Sequence, residues 1–257
     1  MKTDLLLTAT LLAAAVARAE IKFETIEYKH GDATLEGYLA YDTAVKGKRP
    51  GVLIVHQWKG AGDYEKKRAE MLAKLGYTAF ACDIYGKGIR PAAPKDAGTQ
   101  ATKYKGDRTL LRARAQAGLD VLKKHATVDA KRTAAMGYCF GGTTVLEMAR
   151  ANLDVLGVVS FHGDLAAKPG LEGKSIKPKV LVCHGNDDPS VPPPVAAAFK
   201  AEMAAAKADL KFEGYDGVMH SFTDWSADGS RPGSKYDKTA DEKSWQSMQE
   251  LFKSIFK

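Results

Sequence analysis

The stretch Lys131-Arg132-Thr133-Ala134-Ala135-Met136-Gly137-Tyr138-Cys139-Phe140-Gly141-Gly142 decides how the rest of this chain is read. Its first six residues read as a short strand, and Thr143 to Arg150 reads as a helix. A reactive residue flanked by glycines between a strand and a helix has the layout of a nucleophile elbow. The small flanks let strand and helix pack closely around one strained residue, whose side chain then stands exposed above the sheet. Here that residue is Cys139.

Outward from the elbow the pattern alternates. Short apolar runs at Val52 to Val55, Thr78 to Cys82, Val155 to Ser160, Lys179 to Cys183 and Leu210 to Tyr215 are separated by helix-like stretches. Those stretches are Asp63 to Leu75, Arg108 to Lys124, Thr143 to Arg150, Val195 to Lys207 and Lys243 to Phe256. Strands apolar throughout and alternating with helices imply an α/β fold, a mostly parallel central sheet with helices on both faces. Lys22 to Tyr28 and Thr34 to Tyr41 follow each other with no helix between, so an antiparallel edge is expected there. By composition, residues 86–105 and 224–242 read as long loops. Both would emerge at the carboxyl ends of the strands, where a parallel α/β sheet holds its ligand.

The ends and the charge bound the class. Residues 1–19 combine Lys2, an apolar run from Leu5 to Ala17 and the small-x-small site Ala17-Arg18-Ala19, the layout of a secretory signal cut before Glu20. That run is too short to span a bilayer. The expectation is an exported chain, periplasmic or secreted, with one domain over residues 20–257 and no membrane attachment after cleavage. The net charge of +7 is carried by scattered lysines without interleaved aromatics, so no nucleic-acid partner is expected. Three cysteines are an odd number for an exported chain, and Cys82 and Cys183 read as small buried hydrophobes inside strands.

A cysteine nucleophile needs a base, and the base needs an orienting group. In the chain order that goes with such an elbow, the acid and then the histidine follow the nucleophile. Val180-Leu181-Val182-Cys183-His184-Gly185 leads into Asn186-Asp187-Asp188-Pro189-Ser190-Val191-Pro192, and Phe212-Glu213-Gly214-Tyr215 leads into Asp216-Gly217-Val218-Met219-His220-Ser221-Phe222. The remaining histidines, His30, His56, His125, His162 and His184, read as structural or exposed. His56, His162, His184 and Asp164 fall near strand ends, but no H-x-x-x-H or C-x-x-C spacing links them, so neither a metal nor a cofactor is expected.

By these motifs the chain resembles the dienelactone hydrolase family of the α/β-hydrolase superfamily, from about Ile21 to the C-terminus. The resemblance is carried by residues 137–142, by His184-Gly185-Asn186-Asp187-Asp188-Pro189-Ser190-Val191-Pro192 and by His220-Ser221-Phe222. It implies a carboxylic ester hydrolase with a triad of Cys139, Asp188 and His220. Asp188 is preferred over Asp187 because it directly precedes Pro-x-Val-Pro. The implied oxyanion hole is the backbone N–H groups of Phe140 and Trp58, and the implied substrate is a small-molecule ester or lactone. Two positions depart from the family's dienelactone-cleaving members, which carry a glutamate where this chain has Gln57 and an arginine where it has Asp224. Gln57, Lys59 and Arg90 are the candidate substrate contacts. Two other classes compete: a non-catalytic binding module on the same fold, and a thiol-redox protein, which would want a C-x-x-C pair that the chain lacks. The oligomeric state is left open.

Overall fold

The computed structural model describes residues 20–257, so the secretory signal expected at residues 1–19 lies outside the described residues. The chain runs β1 (Ile21–His30), β2 (Ala33–Asp42), β3 (Arg49–Val55), α1 (Asp63–Lys74), β4 (Thr78–Cys82), α2 (Pro94–Gly106) and α3 (Arg108–Lys124). It continues through β5 (Val128–Tyr138), α4 (Phe140–Arg150), β6 (Gly157–Phe161), β7 (Lys179–Gly185), α5 (Pro193–Ala205), β8 (Leu210–Tyr215) and α6 (Lys238–Ile255). The eight strands form one sheet in the order β1-β2-β4-β3-β5-β6-β7-β8. The expected antiparallel edge is present: β1 pairs antiparallel with β2, β2 pairs antiparallel with β4, and all other pairings are parallel.

The continuous apolar strands have a direct cause. Successive residues of a strand point to opposite faces, and here both faces are covered. Leu53 and Val55 of β3 pack with Leu111, Leu119 and Val145 from α3 and α4. Val52 and Ile54, their neighbours in the chain, pack with Leu72, Met248 and Phe252 from α1 and α6. Every one of these side chains is fully buried.

The expected loop at 86–105 is corrected, since most of its second half is α2. Pro94 is pre-organised for the first turn, and Ala97, Ala101 and Tyr104 recur at helical spacing along one face. Gly98, Gly106 and the lysines dominate the composition of that segment and mask this stripe. Buried Ala97 and Tyr104 supply the packing that outweighs the propensity cost of Gly98. The segment 224–242 is turns as far as Asp237, whose side chain caps α6 by accepting from the Ala240 N–H at 2.8 Å; α6 therefore starts five residues earlier than Lys243.

Candidate active site

The carboxyl ends of β3, β5, β7 and β8 each deliver one part of the site. Cys139 follows β5 directly and is the N-cap of α4, with φ 53° and ψ −113°. A non-glycine residue in that region is strained, and the neighbouring glycines show what holds it there. A Cβ on Gly137 would lie 2.2 Å from the Gly141 carbonyl oxygen, and a Cβ on Gly141 would lie 2.1 Å from the Val55 carbonyl oxygen. Strand, elbow and helix are therefore in backbone contact. The Cys139 thiol sits at the positive end of α4, above the sheet.

The Cys139 Sγ lies 3.1 Å from His220 Nε2, and His220 Nδ1 lies 2.6 Å from Asp188 Oδ2. Asp188 is buried and also accepts the Ser190 N–H at 2.8 Å, whereas Asp187 is exposed and does not reach the imidazole. The three groups shift one another. Burial would lower the His220 pKa, but the thiolate of Cys139 and the carboxylate of Asp188 outweigh it and raise it to about 10. Burial works against ionisation of Cys139 as well, yet the imidazolium charge and hydrogen bond bring the thiol below its ordinary value. Asp188 is likewise opposed by burial and brought down by the His220 hydrogen bond.

A loop holds this histidine in register. The His220 N–H donates to the Gly233 carbonyl and the Lys235 N–H donates to the His220 carbonyl, both at 3.0 Å. Gly233 packs so closely on Pro189 that a Cβ there would meet its ring at 2.4 Å. The segment around Gly233 thus braces both the acid loop and the histidine loop.

A cleft of about 170 Å³ opens over Cys139, lined among others by Trp58, Phe140, Lys105, Asp164, His220 and Arg231. Phe140 is the first residue of α4, where a helix leaves its N–H without an intrahelical partner. Trp58 lies on the turn after β3, whose position is set by buried Glu65. The Glu65 carboxylate accepts the Gln57 N–H at 3.1 Å and the Gly62 N–H at 2.8 Å. The Tyr85 hydroxyl donates to the Trp58 carbonyl at 3.0 Å. A second, larger cavity of about 610 Å³ adjoins the cleft, and Trp58 and Arg231 line both. The Arg231 guanidinium lies 4.5 Å over the Trp58 ring.

The candidate substrate contacts are not gathered at the thiol. Gln57, Lys59 and Arg90 line the larger cavity and not the cleft over Cys139. The Arg90 guanidinium is spent on the carbonyls of Ala61, Gly86, Ile89 and Glu36, where it ties two loops together. The Gln57 side-chain amide donates to Asp224 Oδ2 at 3.3 Å. The two positions that depart from the dienelactone-cleaving pattern are therefore each other's partners. The cations at the cleft are Lys105, which pairs with Asp164 at 2.8 Å, and Arg231.

Sequence reasoning passed over Glu65 and Arg231, and read His162 only as a structural or exposed histidine. The spacing Gly62-x-x-Glu65 at a helix start was a readable signal, because a glutamate at the third helical position reaches back to free amides. His56 is structural: burial lowers its pKa to about 4, its Nε2 accepts the Ile84 N–H at 3.2 Å and its ring stacks on Phe140. His162 is buried beside the triad, and ligand atoms of Cys139, His162 and His220 lie within 4.8 Å of one another. Both ring nitrogens of His162 are already engaged, Nδ1 with the Cys139 N–H and Nε2 with Thr223 Oγ1, so the cluster is not open to a metal without breaking those bonds.

A thiol, an imidazole and a carboxylate in line at a strained elbow above a parallel sheet define an α/β-hydrolase. Residues 35–256 match the model of the dienelactone hydrolase family, and the chain belongs to that family and is a hydrolase. A dienelactone hydrolase-like promiscuous phosphotriesterase from metagenomic libraries superposes with a TM-score of 0.88 at 37% identity, covering 93% of this chain and 100% of that one. An uncharacterised Caenorhabditis elegans protein is 36% identical over 57% of this chain and 94% of its own length. A Bradyrhizobium protein named "Probable 2-oxo-3-(5-oxofuran-2-ylidene)propanoate lactonase" is 29% identical over 77% of this chain and 84% of its own.

Proposed function

We propose that the chain hydrolyses activated carboxylic esters or lactones through a thioester on Cys139. The observation that carries the reading is the continuous line from Asp188 Oδ2 to His220 to Cys139 Sγ, at 2.6 and 3.1 Å. The thiolate attacks the substrate carbonyl carbon, and the developing oxyanion lies toward the Phe140 and Trp58 N–H groups, each such donor being worth about 3 kcal/mol. His220 Nε2–H then gives its proton to the departing alcohol oxygen, leaving an acyl thioester. It next takes a proton from water, whose oxygen attacks the thioester carbon; collapse releases the acid and returns Cys139 as the thiolate beside protonated His220. Asp188 accepts from Nδ1 throughout and keeps Nε2 turned to the sulfur.

A thiolate is a better leaving group than an amine, so the tetrahedral intermediate favours esters and lactones over amides. The lactonase name of the Bradyrhizobium relative supports the same class. Arg231, stacked on Trp58, is the residue we assign to contact a substrate group at the mouth of the cleft, in place of Lys59 and Arg90. We also place the chain outside the cytoplasm, on the reading of residues 1–19. Turnover of p-nitrophenyl acetate tests the function. It should disappear in Cys139→Ala and His220→Ala variants that keep the parent circular dichroism spectrum; persistence in Cys139→Ala would refute it.

A further inference from the structure

Cys139 has a second histidine neighbour whose contact is with its backbone and not its sulfur. The Cys139 N–H points at His162 Nδ1, 3.1 Å away, and also at the Phe161 carbonyl at 2.9 Å. An acceptor nitrogen cannot carry a proton, so the His162 proton sits on Nε2 and is given to Thr223 Oγ1 at 2.8 Å. Beyond Thr223 the contacts continue inward. The Tyr64 and Thr223 hydroxyls are 2.9 Å apart, Arg68 Nε donates to the Tyr64 oxygen at 3.1 Å, and Arg68 pairs with Asp241 at 2.6 Å. Arg68 and His162 are each about 1% exposed. One end of this chain is the strained amide of the elbow; the other is an ion pair anchored between α1 and α6.

We propose that His162 is a positioning residue for the nucleophile, holding the Cys139 amide through Nδ1 so that Sγ stays within reach of His220. This rests on the reading of Cys139 as the nucleophile. The identity of the side chain follows from the geometry. The position gives the Cys139 N–H a second acceptor beside the Phe161 carbonyl on the near side and a donor to Thr223 on the far side, and one neutral imidazole supplies both. Its edge-to-face contact with His220, with ring centroids 5.1 Å apart, also leaves no room for a second positive charge, and burial pushes the His162 pKa well below its ordinary value.

Two near-isosteric variants separate positioning from packing. In His162→Asn the side-chain oxygen replaces Nδ1 and keeps the bond to the Cys139 amide; in His162→Gln the amide replaces Nε2 and keeps only Thr223. With p-nitrophenyl acetate, His162→Gln should lose about tenfold or more in kcat with KM within about twofold, and the pH inflection of Cys139 alkylation should move up. His162→Asn should stay within about threefold of the parent in kcat, with the alkylation inflection unmoved. Equal losses in the two variants, or no loss in either, would overturn the proposal. The backbone at His162 has φ 41°, which asparagine tolerates better than glutamine, so melting curves accompany both. Independently of any variant, 15N NMR of the parent should show a proton on Nε2 and a bare Nδ1; the opposite tautomer would overturn it. Residual turnover in Cys139→Ala would instead mark failure of the nucleophile assignment itself.

Discussion

Replacing Gln57 by glutamate changes one atom type and reverses one interaction. The Gln57 amide now donates to Asp224 Oδ2 at 3.3 Å, and an introduced carboxylate would face that oxygen at the same distance. Two unit charges 3.3 Å apart repel by about 5 kcal/mol at an effective dielectric of 20. Asp224 is partly open to solvent, and screening brings this to about 2 kcal/mol. Loss of the amide hydrogen bond adds about 1 kcal/mol. The variant should therefore unfold with about 3 kcal/mol less stability near pH 8, a fall of roughly 6–12 °C in Tm for a domain of this size.

The charge component has a definite sign with pH. Repulsion of about 2 kcal/mol raises the folded pKa of the introduced carboxyl by about 1.5 units above its unfolded value of about 4.3. This component is absent below pH ~4.3, grows through pH ~6 and is constant above it. Urea denaturation of parent and variant from pH 4 to 8 measures this directly. Adding Asp224→Asn should return most of the loss. A deficit of the same size at pH 4 and 8, or one that Asp224→Asn leaves in place, would mean that Gln57 and Asp224 do not interact as the structure shows.

The other expectations follow from the same site. Because His220 lowers the Cys139 pKa, iodoacetamide labelling of Cys139 should show its inflection below the free-thiol value of about 8.5, and the inflection should return toward that value in His220→Ala. The His220 pKa is raised to about 10, so its contribution to stability is complete below about 6.5 and is lost as pH climbs through 10; a His220→Ala variant should show a flatter decline in unfolding free energy over that range. Arg231→Gln should raise KM for an anionic ester about tenfold while leaving KM for p-nitrophenyl acetate within about twofold, and equal changes for the two esters would refute a charge contact. Mass spectrometry of exported protein should find Glu20 at the N-terminus, and an intact Met1 would refute export.

What the sequence made legible was whatever depends on order along the chain. The elbow at Gly137 to Gly142, the acid after β7 and the histidine after β8 lie within a few residues of strand ends, and a parallel sheet turns that order into proximity. Contacts that depend on three-dimensional neighbours were out of reach. Gln57 and Asp224 are 167 residues apart, and no local pattern says that they meet across the mouth of the cavity. Arg231 hid in a glycine- and serine-rich segment whose shape comes from its pairing with the His220 loop. His162 was visible as a strand-end histidine, yet its tautomer follows only from the Cys139 N–H on one side and Thr223 on the other. The same limit explains the substrate. Chain order delivers Cys139, Asp188 and His220, because each follows within five residues of a strand's carboxyl end; the groups that would select the molecule, Trp58, Arg231 and Lys105, sit on the loops and on α2, where packing alone decides which cavity a side chain enters.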